Sequence, residues 1–179
     1  MQMAFLVGAG LRPSHVLVDI GCGSLRAGVH LIPYLDPSNY IGVEQHKHLV
    51  VAGIDKELGR EVYKQQGPQF IFDPDFGFDQ MHAPPSFALA QSVFTHLTRG
   101  MVEKCLKRLR PEIAEPHDFY ATFWLTEDPS RPDESHDGRA FQYSEDEVHA
   151  MAETTGWRAT VIGEWGHPRG QEMVRFRPA

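Results

Sequence analysis

The stretch VLVDIGCGSLRAG, residues 16–28, constrains the chain more than any other, because it runs a buried strand into a carboxylate, a glycine turn and a helix start. Val16, Leu17, Val18 and Ile20 form the apolar, β-branched run expected of a central parallel strand. Gly21 and Gly23 then let the backbone approach a ligand closely, and Asp19 points toward the same crevice. Such a unit predicts an open α/β fold whose ligands sit beyond the carboxyl ends of its strands.

The details of the turn separate the cofactors it can serve. A dinucleotide fingerprint needs G-x-G-x-x-G, but Arg26 occupies the third glycine position and the next glycine is Gly28. No G-x-x-x-x-G-K-[ST] string occurs, so a phosphate loop for a nucleoside triphosphate is not supported. A carboxylate two residues before the first glycine suits an ammonium group, and hence an amino-acid-bearing nucleoside.

VLVDIGCGSLRAG resembles motif I of the class I S-adenosylmethionine-dependent methyltransferases. NYIGVEQ (39–45), FIFDPDFGF (70–78), SFALAQSVFTHL (86–97), DFYATFWL (118–125) and a closing strand pair after Trp157 follow in the order that family shows, so the similarity covers nearly the whole chain. It implies an α/β, Rossmann-like three-layer sandwich: a seven-stranded, mostly parallel sheet with an antiparallel C-terminal hairpin strand, in one domain over 1–179. It also implies S-adenosyl-L-methionine as cofactor.

Composition narrows the partners. With 179 residues and 41% hydrophobic content, the chain is long enough for one full core and short for two. A net charge of −7 disfavours a nucleic-acid surface, which relies on clustered Lys and Arg. No apolar run approaches the roughly 20 residues of a membrane span, and MQMAFLVGAG lacks a basic secretory start, so a cytoplasmic location is expected. Cys22 and Cys105 read as reduced thiols, with Cys22 filling a variable slot between two glycines. His46 and His48 stand two apart and diverge on a helix, and no further ligand spacing accompanies them, so no metal is expected.

Along the chain, a helix over about 2–8 ends in GAGLRPS, where too few residues remain before Val16 for a βαβ crossover. Helices follow over about 25–34, 47–65 and 99–109, with strands at 40–44, 69–73, 87–91 and 119–125. Residues 126–140 read as a polar loop. Ser144 and Glu147 form an S-x-x-E capping box for a helix to about 154, ended by Gly156. Strands at 158–165 and 172–176 flank GHPRGQ.

Candidate site residues collect at strand ends. By resemblance, Asp19, Gly21, Cys22 and Gly23 form the donor turn and Glu44 accepts the ribose hydroxyls. Asp73, Asp75, Phe76 and Phe78 offer carboxylates and rings for an adenine; Asp75 and Phe76 fit best, while proline between the two acids leaves open which one caps the turn. Gln91 and Ser92 fall where the family contacts cofactor or acceptor. His96 and His167 are candidate bases and Arg169 a candidate holder of an acidic group; capping, packing or a simple hairpin turn are the alternatives for these three.

The expected acceptor is a small molecule, sugar or lipid-linked compound, methylated on oxygen or nitrogen. Barely fifteen residues precede the first strand, so acceptor cover must come from elsewhere: the 126–140 loop as a lid, a second subunit in a homodimer, or further chain if this is a fragment. RPEIAEPHD replaces the usual glycine turn before the fifth strand. The competing functions are a catalytically silent cofactor- or partner-binding module and a nucleotide-dependent oxidoreductase.

Overall fold

The computed structural model of the chain describes residues 1–114, 118–129 and 140–179. Most of the loop read as a lid, and 115–117 of the RPEIAEPHD segment, lie outside the described residues. Two compact units divide the chain: Met1–Leu89 with Ile113–Pro116, and Ala90–Glu112 with His117–Ala179.

In the first unit α1 (Gln2–Gly8) ends at Gly10, whose φ of 103° stops the helix as the GAG string predicts. The strands β1 (Leu17–Ile20), β2 (Tyr40–Val43), β3 (Gln69–Ile71) and β4 (Phe87–Ala90) are ordered β3-β2-β1-β4. All three pairings are parallel, with Asp19 opposite both Gly42 and Leu89. Every residue of β1, β2 and β4 is buried, which is why these strands read as near-continuous apolar runs in the sequence.

The helices of this unit depart from the expected spans. Leu25 has φ 65°, a left-handed conformation that cannot start a helix, so α2 begins at Gly28 and runs to Tyr34 instead of starting near 25. The single helix expected over 47–65 is three pieces: α3 (Lys47–Gly53), a π-helical turn over Ile54–Leu58, and α4 (Arg60–Gln66). Gly59 separates the last two with φ 86° and ψ 139°, a geometry outside any helix.

The second unit contains α5 (Arg99–Leu109), β5 (Asp118–Leu125), β6 (Gln142–Tyr143), α6 (Glu145–Thr154), β7 (Trp157–Glu164) and β8 (Glu172–Pro178). β8 pairs antiparallel with both β5 and β7, so β5 and β7 run the same way and their carboxyl ends share one side. β6 pairs parallel with β5; this two-residue strand, unforeseen in the sequence, makes eight strands among the described residues instead of seven. Phe94, Phe119, Phe123, Tyr143, Trp157 and Phe176 pack the core of this unit, and Trp157 Nε1 donates to the Leu106 carbonyl at 2.9 Å.

The capping box at α6 is formed as expected. Glu147 N–H donates to Ser144 Oγ at 3.2 Å, and Ser144 N–H donates to the Glu147 carboxylate at 3.1 Å. Replacing Ser144 with alanine is expected to lower unfolding free energy by about 1 kcal/mol in denaturant titration, because one helix-start N–H loses its acceptor. Together the two units carry the mixed, Rossmann-like α/β architecture that the sequence implies.

Candidate functional site

The first unit gathers Gly21, Cys22, Gly23 and Glu44 into one hydrogen-bonded turn after β1. Gly21 and Cys22 N–H both donate to the Val43 carbonyl, at 2.7 and 3.2 Å, which folds the turn after β1 over the end of β2. Gly21 and Gly23 take φ of 66° and 52°, conformations that side-chain-bearing residues rarely adopt. Glu44 then closes the turn. Its Oε2 accepts from Gly23 N–H at 3.0 Å and its Oε1 from His46 N–H at 2.9 Å. A carboxylate has about four lone-pair sites, so these two bonds orient Glu44 and leave capacity for further donors.

Asp19 is only 4% exposed, and its Oδ2 accepts from the Tyr40 hydroxyl at 2.7 Å. Burial pushes its carboxyl up to about 7, against the lowering effect of Tyr40 and with a further push from Glu44. A buried acid in this condition is poised for a cation, which would stabilise its charged form. Cys22 is likewise buried, and desolvation followed by the charges of Asp19 and Glu44 drives its thiol pKa far up. Cys22 is therefore an inert packing sulfur, not a nucleophile, and it fills space beside Gly42: a Cβ there would meet Phe70 at 2.7 Å and Cys22 Sγ at 2.9 Å.

The loop after β3 lies next in line, since β3 pairs with β2 and Glu44 N–H donates to the Ile71 carbonyl. Asp73 caps this turn: its Oδ1 accepts from Asp75 N–H at 2.7 Å and its Oδ2 from Gln80 Nε2 at 3.2 Å. The sequence left open which acid does this. Asp75, whose N–H makes that bond to Asp73, is exposed. Phe76 is buried at φ 73° and stacks on Phe78, centroids 5.7 Å apart and planes 13° apart, so one face of its ring is taken.

The second unit holds the other candidates. Ser92, at φ 57°, donates its N–H to Thr122 Oγ1 at 2.8 Å, and the Ser92 and Thr122 hydroxyls both donate to Gln171 Oε1 at 2.9 Å. Gln91 lies beside Ser92 Oγ and 3.1 Å from His167 Nε2. Arg169 N–H donates to His167 Nδ1 at 3.3 Å, and the Gln91 amide nitrogen, which donates to Ser92 Oγ, faces the other ring nitrogen of a neutral His167. Burial, and then the charge of Arg169, lowers the His167 pKa and favours this neutral form. His96 meets the edge of Trp124, and Trp124 Nε1 donates to the Arg169 carbonyl at 2.9 Å.

Sequence reasoning missed Tyr40, Thr122, Gln171 and Gly53, where a Cβ would lie 2.5 Å from the Ser24 carbonyl oxygen. Tyr40 was legible in principle, because a tyrosine beginning a buried strand needs a hydroxyl partner. The other three act through contacts that no local pattern encodes. Among the described residues, no group of three or more His, Cys, Asp or Glu is arranged to hold a metal, and no helix is long and apolar enough to cross a membrane.

Comparison with solved structures identifies this fold as the Rossmann-like fold of S-adenosylmethionine-dependent methyltransferases. The chain is similar to magnesium protoporphyrin IX methyltransferase (ChlM) from Synechocystis PCC 6803 with bound SAM, at 16% identity and TM-score 0.69, over 99% of this chain and 76% of that one. It is similar to the glycopeptide N-methyltransferase MtfA complexed with S-adenosyl-L-homocysteine, at 10% identity and TM-score 0.73, over 99% and 88%. It is also similar to the mitomycin 7-O-methyltransferase MmcR, at 18% identity and TM-score 0.72, over 99% and 53%. No protein-family model and no curated protein matches the chain.

Proposed function

We propose that the chain is a methyltransferase that moves a methyl group from S-adenosylmethionine to an oxygen or nitrogen of a small-molecule acceptor. The observation that carries this reading is the turn built by Asp19, Gly21, Gly23 and Glu44, where a buried acid with a raised pKa stands beside a second, oriented carboxylate. Asp19 fits the donor's ammonium and Glu44 its ribose hydroxyls, with Gly21, Cys22 and Gly23 forming the turn between them. Asp75 and Phe76 fit the adenine edge and ring. Bound there, S-adenosylmethionine supplies a methyl already activated on a sulfonium.

The residues of this chain then have little covalent work to do. Holding acceptor and donor in attack geometry is worth on the order of 7 to 11 kcal/mol, whereas a general base adds about 10² to 10⁴ in rate. His96 is assigned to take the proton of a hydroxyl acceptor, and Arg169 to hold an acidic group on it. His167 is the second candidate for that proton, and its Nδ1 accepts from Arg169 N–H. Neighbours named as O- and N-methyltransferases of mitomycin and glycopeptide acceptors support this range.

Titration calorimetry with S-adenosylmethionine tests the reading. Binding that vanishes when Asp19 and Glu44 are both alanine is the expected outcome. Binding of a nicotinamide cofactor but not S-adenosylmethionine would select the oxidoreductase, and donor binding with no methyl consumed across a broad acceptor panel would select a silent binding module.

A further inference from the structure

Leu25, two residues after Gly23, is left-handed at φ 65° and wholly buried. That backbone shape strains any residue with a Cβ, and it persists only where the surroundings enforce it. Two glycines of the neighbouring helices make the room that enforces it. A Cβ on Gly28, the first residue of α2, would lie 3.1 Å from Leu25 Cβ and 3.2 Å from its Cδ2. A Cβ on Gly53, the last residue of α3, would lie 2.9 Å from Leu25 Cγ. The leucine is a knob in the space that both glycines leave. The Tyr40 hydroxyl, which donates to Asp19, borders the same space, 3.1 Å from the Gly28 Cβ position.

The backbone of Leu25 ties the turn at both ends. Its N–H donates to the Cys22 carbonyl at 3.0 Å, and its carbonyl accepts from Val29 N–H at 2.9 Å, within α2. Enclosed between Cys22 and Leu25 is Gly23, whose N–H donates to Glu44. Leu25 itself is closed to solvent, so it acts on a ligand only through this turn.

Resting on the methyltransferase reading above, we infer that Leu25 is a positioning residue for S-adenosylmethionine. Wedged between Gly28 and Gly53, its side chain holds the turn that carries Gly23 in its binding shape before the donor arrives. A turn ordered in advance loses less freedom on binding, so the wedge raises donor affinity without touching the donor. Alanine at this position keeps the backbone strain and lacks the knob, whereas glycine lacks both and methionine keeps both.

Calorimetry with S-adenosylhomocysteine and amide hydrogen exchange test the inference. In donor-free wild type the Gly23 amide should be protected from exchange. Leu25→Gly suits a φ of 65° and removes the wedge, so it should fold and lose that protection. It should bind S-adenosylhomocysteine about tenfold more weakly, the scale of ordering one backbone residue on binding. Leu25→Ala should bind as weakly as Leu25→Gly, and Leu25→Met, close to leucine in volume, should bind within about twofold of wild type. Leu109→Ala, a truncation in the core of the second unit, should lower stability and leave affinity per folded molecule unchanged. A Gly23 amide unprotected in the wild type, or Leu25→Gly that binds as tightly as wild type, overturns the inference. So does Leu25→Met that binds as weakly as Leu25→Gly, or Leu109→Ala that weakens binding as much. Failure of wild-type protein to bind S-adenosylhomocysteine at all, with its Gly23 amide protected, overturns the methyltransferase reading instead.

Discussion

Asp19→Asn is expected to weaken S-adenosylmethionine binding about a hundredfold while raising the thermal midpoint of the protein at pH 8. The carboxyl titrates near 7 in the folded chain against 3.8 as its ordinary value, chiefly because burial penalises its charge. Between those two values the native state holds a proton that the unfolded chain has released, so stability falls as pH rises through that window and levels off above 7. At pH 8 the wild type carries the full cost of a buried charge. Asparagine still accepts from the Tyr40 hydroxyl and carries no charge, so the variant gains at pH 8 and differs little from wild type near pH 4. The donor sees the opposite sign. Its ammonium needs the carboxylate, so wild-type affinity should rise with pH up to about 7 and the variant should show no such rise; a charge-assisted hydrogen bond of about 1.5–3 kcal/mol sets the size of the loss. Thermal scans and calorimetry at pH 5, 6, 7 and 8 check both arms. Unchanged donor affinity in a variant that is less stable at pH 8 would assign Asp19 a structural role only.

Gly53→Ala is expected to cost about 2–3 kcal/mol of stability and to impair donor binding as well, against the usual gain from alanine in a helix. A Cβ on Gly53 would lie 2.5 Å from the Ser24 carbonyl oxygen and 2.7 Å from its carbon, with Leu25 Cγ at 2.9 Å. The first two are backbone atoms directly after Gly23, so relief of the clash must move the turn that Glu44 holds. Gly100 supplies the contrast. It lies in α5, where a Cβ would meet nothing within 4 Å, and Gly100→Ala should stabilise by up to about 1 kcal/mol and leave donor affinity at the wild-type value. Denaturant titration and calorimetry on the two variants separate helix propensity from the close approach of α3 to the turn.

Strand positions were legible because parallel strands buried on both faces leave uninterrupted apolar runs, as β1, β2 and β4 do. The α6 cap was legible because its two bonds lie within four residues. Helix breaks were not: the π turn over Ile54–Leu58 and the non-helical Gly59 interrupt a segment whose composition reads as one helix, and Leu25 ends up left-handed where its residue type predicts helix. The candidate site divides along the same line. Asp19, Gly21, Gly23 and Glu44 were legible as neighbours, since each stands at a strand end or in the turn that follows one, and the hydrogen bonds between the end of β2, Glu44 included, and the turn bear that placement out. Which of Asp73 and Asp75 caps the turn was not, because only the folded turn shows that Asp73 spends its oxygens on Asp75 N–H and Gln80.

By itself the sequence determined the order of the seven longer strands, the glycine turn, its two flanking acids and the α6 start, all of them set by periodicity, backbone freedom and contacts between near neighbours. The tertiary structure decided that burial raises the Asp19 pKa against the bond from Tyr40, that Gly53 must lack a side chain, and that Gln91, Ser92, Thr122, His167 and Gln171 share one network. The physical reason is distance along the chain: 21 residues separate Asp19 from Tyr40 and 79 separate Ser92 from Gln171. Desolvation and hydrogen bonding between such partners exist only after the chain has brought them together.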